Sequence, residues 1–194
     1  MGKKVISETV SLWDILATSS VYSIPYNQRP YTWGAKNWET LWNSFFSLND
    51  KSTFLGTIIL LESEDEDFEE EIQVFDGQQR ITTLTIMCKA FIDVLYDSND
   101  VDEASQIKSY LLTDAFNIPR LKVSKNLRDY FVNNIQASIE VKPTDGSSDA
   151  EKTIFKAYHY FKKLAYELHE KNNFKGQTTL SILKKRLKTL EIVK

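Results

Sequence analysis

The sequence predicts an α+β fold in which a small mixed sheet core is followed by a helical C-terminal portion. Two observations predict it. Short apolar runs of strand character lie in the first half of the chain, and apolar residues at helical spacing fill the second half. The 194 residues, 42% of them apolar, can bury a core without a disulfide or metal crosslink. We therefore predict a core domain over residues 1–98 and a helical extension over residues 99–194.

Three elements are predicted before the first buried strand. The run Ser11-Leu-Trp-Asp14 is typical of a capping box that starts a short helix. Residues 21–26 follow as a strand. Between residues 36 and 48 apolar side chains recur at helical spacing, which predicts a helix whose aromatic face belongs to the core: Trp38, Leu41, Trp42, Phe45 and Phe46.

Two buried strands are predicted next, over residues 54–61 and 72–75. The tract 62–71 between them holds eight acidic residues in ten, so it is expected to repel itself and to form a solvated, protruding loop. Calcium binding is the alternative, but the spaced ligands and the turn glycine of an EF-hand are missing. A long amphipathic helix then places Cys88 on its apolar side, where we interpret it as a small buried hydrophobe.

Mostly helices are predicted for the rest of the chain. Ser124 is placed at the cap of a helix that runs through residue 135, and residues 143–149 have the composition of a loop. Apolar periodicity predicts two more helices, over 154–168 and 180–190. The chain then stops on a short apolar segment, 191–194, without a closing turn. We interpret this ending as that of a fragment of a longer protein.

Charge and rare residues narrow the possible functions. Residues 1–150 carry a formal charge of −10 and residues 151–194 a charge of +7. The basic end is either a nucleic-acid surface or an ordinary solvated helix face. His159 and His169 are expected in surface or capping roles, and the single cysteine excludes a multi-thiolate metal site. No run is long enough to span a membrane, so a cytoplasmic protein is expected.

The run Asp76-Gly-Gln-Gln-Arg80 between a strand and a helix is the first candidate site. Gly77 permits a positive φ, and the amides of Gln78, Gln79 and Arg80 are expected to be unpaired at the helix start, where they can bind phosphate. Arg80 adds a charged fork for phosphate oxygens, and Asp76 can hold Mg²⁺ or orient a water. The alternative is a junction whose polar residues merely cap the helix.

A second candidate site is the run Ile24-Pro-Tyr-Asn-Gln-Arg-Pro-Tyr-Thr-Trp33. Two prolines stiffen a piece that holds Gln28, Arg29 and three aromatic rings, and aromatic rings beside arginine suit base stacking and phosphate binding. The alternative is a buried connector in which Tyr31 and Trp33 pack on the following helix.

These two runs, together with Phe54-Leu-Gly-Thr-Ile58, resemble the DGQQR domain. This is the ParB/sulfiredoxin-like N-terminal module of GmrSD- and SspE-type modification-dependent restriction proteins. Weaker signatures of the same family are similar to residues 120–131 and 154–161. There are departures from the pattern: Asn27 and Leu127 stand where other residues are expected. Gln78 replaces the sulfiredoxin cysteine, which excludes sulfinic-acid reduction.

The resemblance implies a regulatory domain that binds and hydrolyses a nucleoside triphosphate with Mg²⁺. It implies catalytic roles for Asp76, Gln79 and Arg80, with Asp76 as the metal ligand. It also implies a nucleotide-binding set made of Gln28, Arg29, Gly77, Gln78, Gln79 and Arg80. The implied partners are modified phage DNA and an HNH-type nuclease domain, in a protein that can be a homo-oligomer. The alternatives are a metal-dependent DNA nuclease and a non-enzymatic module that binds DNA or senses its modification.

Overall fold

The structure is a computed structural model that describes residues 8–17, 20–46, 53–62, 71–113, 118–137, 142–143, 146–173 and 178–193. It has the predicted α+β class, with two small sheets and helices packed around them. Residues 63–70 of the acidic tract lie outside the described residues, as do residues 144–145 of the predicted loop. Both loops stay predictions.

The described elements follow one another in this order along the chain. The strands are β1 (Thr9–Ser11), β2 (Val21–Ser23), β3 (Thr53–Thr57), β4 (Ile59–Glu62), β5 (Glu71–Asp76), β6 (Leu121–Lys122) and β7 (Leu190–Val193). The helices are α1 (Leu12–Leu16), α2 (Ala35–Phe45), α3 (Gln78–Asp97), α4 (Val101–Leu111), α5 (Lys125–Phe131), α6 (Asp149–Asn173) and α7 (Thr179–Thr189), with a π-helical turn at Val132–Gln136.

The two sheets combine strands that are distant in sequence. In the first sheet the order is β1-β7-β3, with β7 antiparallel to β1 and parallel to β3. In the second the order is β4-β5-β2-β6, with β5 antiparallel to β4 and with β2 parallel to both β5 and β6. Segments 1–98 and 99–194 therefore contribute strands to the same sheets.

Helix α3 is the centre of the core. Most of its side chains are buried, and it packs against both α4 and α6. Buried side chains from both halves of the chain form one cluster with it. Cys88 is buried on α3, as predicted, and burial raises the pKa of its thiol to about 12. Because α3 begins directly after β5, the candidate site is anchored to the most deeply packed element.

Several predicted elements are confirmed with small shifts of their ends. The Ser11–Asp14 capping box starts α1, and the predicted helices over 36–48, 154–168 and 180–190 correspond to α2, α6 and α7. Ser124 occupies the cap position of α5, although its side chain makes no capping hydrogen bond. The aromatic face of α2 packs in or against the core, as expected.

Two expectations are wrong. The single strand over 54–61 is two strands in different sheets, separated at Ile58, and the register within β3 shifts around Gly56, whose φ is 107°. The segment 99–194 is mainly helical, as predicted, and it also supplies β6 and β7. His169 is buried rather than on the surface, because its ring lies between Thr179 and Asp100. Among the described residues, no helix is long and apolar enough to cross a membrane.

Candidate functional site

A tight turn joins the end of β5 to the start of α3. Asp76 ends the strand, Gly77 takes a left-handed conformation with φ of 88°, and Gln78 is the first helical residue. A Cβ atom added at Gly77 would lie 2.9 Å from Ile58 Cγ1 and 3.2 Å from the Thr57 carbonyl oxygen. Glycine is therefore required here twice, for the positive φ and for the close approach of the neighbouring chain.

The first turn of α3 presents backbone amides beyond this glycine. The amides of Arg80 and Ile81 both donate to the Gly77 carbonyl oxygen, at 3.0 and 3.1 Å. The expectation of an unpaired Arg80 amide is therefore wrong, because the first turn closes more tightly than in a regular helix. Within the described part of the chain, the amides of Gln78 and Gln79 have no acceptor. Together with the positive end of a 20-residue helix, these two amides can bind an anion.

The guanidinium of Arg80 lies beneath this turn, against the backbone of β3. Its Nη1 donates to the carbonyl oxygen of Thr57 at 2.8 Å. A Cβ atom added at Gly56 would lie 2.5 Å from Arg80 Nη2 and 2.9 Å from Cζ, so the guanidinium occupies space that any other residue at position 56 would fill. Burial lowers the pKa of Arg80 and the charge of Asp76 opposes this, but a guanidinium stays protonated in proteins.

The site therefore contains a fixed, half-buried positive charge next to a helix N-terminus. Among the described residues, one of the five N–H donors of Arg80 is used, by Thr57. The remaining donors have the fork geometry that suits phosphate oxygens. Asp76, the acid nearest in sequence, is exposed at the rim of the turn.

Gln79 holds the second sequence motif in place. Its side chain is only 5% exposed, and its amide makes three hydrogen bonds to backbone atoms of the segment 24–33. The Oε1 atom accepts from the amides of Thr32 and Trp33 at 2.8 and 3.3 Å, and Nε2 donates to the Pro30 carbonyl oxygen at 3.0 Å. The side chain thus positions the loop, because its polar atoms are occupied by backbone groups.

Gln78 and Gln28 form a second link between the two motifs. Gln78 Nε2 donates to Gln28 Oε1 at 3.1 Å, and Gln28 Nε2 donates to the carbonyl oxygen of Phe75 at 3.1 Å. Gln28 therefore bridges the end of β5 and the start of α3. The prediction that this residue faces the loop is supported by these contacts, whereas the side chain of Arg29 is exposed.

Tyr31 shows that part of the second motif is a buried connector. Its hydroxyl accepts from Trp38 Nε1 at 2.9 Å and lies 2.8 Å from Thr83 Oγ1, which itself donates to the Gln79 carbonyl oxygen. Burial raises the pKa of Tyr31 to about 12, although both hydrogen bonds lower it. Tyr26, in contrast, is 87% exposed, so the aromatic residues of the motif are divided between the core and the surface.

The described part of the loop offers a metal ion few protein ligands. Among the described residues, no group of three or more His, Cys, Asp or Glu side chains could hold an ion. Asp76 supplies one carboxylate, and Mg²⁺ commonly binds through one or two carboxylates together with substrate phosphates. The donor set therefore fits an ion that arrives with phosphate groups, and it does not fit a cage made of protein ligands alone.

The sequence reasoning missed the residues that hold Arg80 from β3. Gly56 and Thr57 lie more than twenty positions before Arg80, and they read as part of an uninterrupted buried strand. The available signal was a glycine inside an apolar run, which often marks a close backbone approach. Thr83, which lies one helical turn after Gln79, was read only as part of the helix.

One cavity among the described residues lies elsewhere, on α6. It has a volume of about 340 Å³ and is lined by His159, Lys162, Lys163, Tyr166 and Glu167. None of the loop residues lines it. It follows one helix face and brings no second element to a ligand.

Comparison with known proteins gives one match. The family model of the GmrSD restriction endonuclease, N-terminal domain, matches residues 12–193. This range includes both motifs and nearly all of the described elements. No curated protein matches the chain.

Proposed function

The chain belongs to the family of GmrSD restriction endonuclease N-terminal domains, and on this premise we propose that it is the nucleotide-binding regulatory domain of a restriction protein. Membership of the family assigns the chain to a restriction system. The proposal adds that a nucleoside triphosphate binds at the loop Asp76-Gly-Gln-Gln-Arg80 and that its state controls cleavage of DNA by a nuclease domain.

One observation carries the proposal, namely the position of the Arg80 guanidinium. It lies against Gly56 and is held by the Thr57 carbonyl oxygen, at the N-terminal end of α3. The helix end and the guanidinium both favour negative charge, and both are fixed before any ligand arrives. Such preorganisation reduces the ordering cost of binding, so a polyphosphate is the ligand class that this arrangement favours.

Each residue of the predicted set has a distinct part in this proposal. Arg80 and the amides of Gln78 and Gln79 contact the phosphates. Gln28 and the side chains of both glutamines keep the turn attached to the segment 24–33. Gln79 therefore acts as a positioning residue, and Arg29 contacts the ligand from the exposed side of the loop.

Hydrolysis requires a water placed in line with the leaving phosphate. Asp76 is the carboxylate at the rim of the loop that can hold Mg²⁺ on the phosphates or orient this water. When bound, Mg²⁺ would neutralise charge on the phosphate oxygens. Arg80 and the loop amides would stabilise negative charge that develops during the reaction, because the fold already holds them in place at the start of α3.

The proposed partners are DNA and an HNH-type nuclease domain, either on a longer chain or on a separate one. Modified phage DNA is the substrate class that we propose for the assembled protein. The alternative function, cleavage of DNA by this domain itself, would have to use Asp76 with a metal ion. Incubation of the chain with plasmid and Mg²⁺ distinguishes the two, since we expect the plasmid to stay intact.

Equilibrium titration of fluorescently labelled nucleoside triphosphate with Mg²⁺ tests the binding site. We expect Arg80→Gln to weaken binding by about ten- to 150-fold, since a hydrogen bond to a charged group contributes about 1.5–3 kcal/mol. Arg128→Gln is the matched control, because Arg128 is an exposed arginine on α5. Equal affinity for the wild type and Arg80→Gln would contradict the proposal.

A further inference from the structure

Helix α7 carries four basic residues, two of them exposed and two half-buried. The residues Lys184, Lys185, Arg186 and Lys188 lie within eleven residues that contain no acid. Its apolar side chains Leu183 and Leu187 are buried, so the helix is fixed to the core and its basic residues lie away from that buried side. None of these residues takes part in the loop around Arg80.

Two of these lysines lie over a pair of aromatic rings from other helices. Trp13 of α1 and Tyr110 of α4 have ring centroids 5.5 Å apart. Lys184 Nζ lies 4.7 Å from the Tyr110 centroid and 6.0 Å from that of Trp13, and Lys188 Nζ lies 5.8 Å from that of Trp13. We call these four side chains the lysine–aromatic cluster.

Among the described residues, neither ammonium group of the cluster has a carboxylate partner. Within the described part of the chain, no Asp or Glu oxygen lies within 4.0 Å of Lys184 Nζ or Lys188 Nζ. Asp14, which follows Trp13, bonds to the backbone and side chain of Ser11 in the capping box of α1. The positive charges of the cluster are therefore ordered by the rings and remain available to an anion.

The rings also restrict where the two lysines can go. A lysine side chain normally loses much rotamer freedom when it binds, and this loss weakens the interaction. Contact with Trp13 and Tyr110 limits that freedom in advance. Lys184 and Lys188 are one helical turn apart, so their side chains share one face of α7. Tyr110 stays 40% exposed beside them.

We propose that the lysine–aromatic cluster and the basic face of α7 bind the phosphate backbone of duplex DNA. The partner follows from charge complementarity: duplex DNA carries one negative charge per about 1.7 Å of its axis, so a face with several cations meets several phosphates. Contacts of this kind position a protein on DNA and do not read its sequence. The surface thus supplies affinity for DNA independently of the nucleotide loop.

Fluorescence anisotropy of the full 194-residue chain with a short labelled duplex tests this surface. The titrations are repeated over salt concentrations from about 50 to 200 mM, where phosphate contacts lose much of their strength. We expect Lys184→Gln/Lys188→Gln to weaken binding at low salt for duplexes of unrelated sequence. The slope of log K against log salt should become shallower by about 2, about 1 for each lost lysine contact.

Two further variants separate the cluster from overall charge. Lys125→Gln/Lys156→Gln removes the same charge from exposed positions on α5 and α6, and it should keep the wild-type slope. Lys184→Arg/Lys188→Arg keeps the charge and should retain binding. Wild-type affinity and slope in the Lys184→Gln/Lys188→Gln variant would overturn the proposal. So would an equal loss in the control, or binding to phosphatidylserine vesicles but not to DNA.

Discussion

Arg80 and Gly56 illustrate how single residues define the candidate site. The guanidinium reaches the Thr57 carbonyl oxygen through space that a side chain at residue 56 would occupy, and Gly56 also has a positive φ. The position of the Arg80 guanidinium therefore depends on Gly56. A substitution at residue 56 can displace the guanidinium while Arg80 itself stays unchanged.

Gly56→Ala should displace Arg80 and weaken nucleotide binding. A Cβ atom would lie 2.5 Å from Arg80 Nη2, and the left-handed conformation of residue 56 costs about 1–2 kcal/mol for a non-glycine residue. We expect unfolding free energy to fall by at least this amount and nucleotide affinity to fall about tenfold or more. Urea denaturation and nucleotide titration measure the two effects.

Gly146→Ala is the matched control for that prediction. Gly146 has a φ of 103°, close to the 107° of Gly56, but a Cβ atom there would meet no atom of the described residues within 4 Å. The control should lose similar backbone stability and keep its nucleotide affinity. If both variants bound nucleotide as well as the wild type does, Arg80 would not depend on Gly56.

Tyr31 should make the stability of the folded protein depend on pH in the alkaline range. Its pKa is raised from the ordinary 10 to about 12 by burial, so the folded chain keeps the hydroxyl proton that the unfolded chain loses. The stability contributed by the neutral hydroxyl is complete below pH 10 and is lost as the pH rises toward 12. Two pKa units correspond to about 2.7 kcal/mol.

Comparison with Tyr31→Phe isolates this contribution. We expect the wild type to be more stable than Tyr31→Phe near neutral pH, because its hydroxyl accepts from Trp38 and pairs with Thr83. The difference in unfolding free energy should shrink by about 2–3 kcal/mol between pH 10 and 12. A difference that stays constant over this range would mean that Tyr31 ionises as it does in water.

Of the residues in the candidate site, the sequence predicts those of the loop but not their distant partners. A glycine directly before a helix and an arginine in its first turn form a local pattern, so Gly77 and Arg80 can be identified from the sequence alone. The hydrogen bonds of Arg80 to Thr57 and of Gln79 to Thr32 join residues more than twenty positions apart. Such contacts depend on strand pairing, which one sequence does not specify.

Among the secondary-structure elements, helix α3 connects the candidate site to the rest of the core. Its first turn forms the site, and its later turns face α6 through a buried polar group. Lys89 Nζ bonds to Asp93 Oδ1, and Asp93 Oδ2 accepts from the hydroxyl of Tyr158 on α6. Burial lowers the pKa of Lys89, and Asp93 opposes this by stabilising the charged form.

Lys89→Met should destabilise the α3–α6 contact strongly. The Lys89 side chain is 1% exposed, so its removal leaves the Asp93 carboxylate largely buried without its cation. Breaking a buried ion pair costs about 3–5 kcal/mol, and methionine preserves most of the side-chain volume. Chemical denaturation followed by circular dichroism measures the change.

A more exposed lysine–aspartate pair, which joins α6 to α3, provides the comparison. Lys162 of α6 pairs with Asp97 of α3 at 2.9 Å, but the Asp97 side chain is 60% exposed. Lys162→Met should cost less than about 1 kcal/mol, because water screens the pair. Similar losses in the two variants would show that burial does not set the strength of these pairs.

The helices were easier to predict than the strands, for a physical reason. Helix periodicity is local, so α2, α6 and α7 follow from the spacing of their own apolar residues. The two-residue strand β6 and the C-terminal strand β7 form because distant partners pair with them. The break at Ile58 likewise divides an apolar run between two sheets, which the hydrophobic pattern does not reveal.

For the whole molecule, the first sheet connects the ends of the chain to the candidate site. Strand β7 lies between β1 and β3, and the Ile58 amide donates to the Val193 carbonyl oxygen at 2.8 Å. Strand β3 also holds Arg80 through Thr57. The basic helix α7 leads directly into β7, so the two proposed surfaces are joined through one sheet.

Ending the chain after Thr189 should therefore weaken both fold and site. It removes the central strand of the first sheet and the buried side chain of Leu190. Loss of a buried leucine costs about 2–5 kcal/mol, which corresponds to a melting temperature lower by about 4–20 °C. Calorimetry measures this shift, and an unchanged melting temperature would show that β7 does not support β3.

Hydrogen–deuterium exchange with and without nucleoside triphosphate and Mg²⁺ tests the central claim most directly, because it locates the ligand. We expect slower exchange at the amides of Gln78 and Gln79 and in the segment 54–58, and no such protection in Arg80→Gln. Unchanged exchange at these amides under saturating nucleotide, or protection only along the α6 cavity between His159 and Glu167, would contradict the claim that the Arg80 loop binds the phosphates.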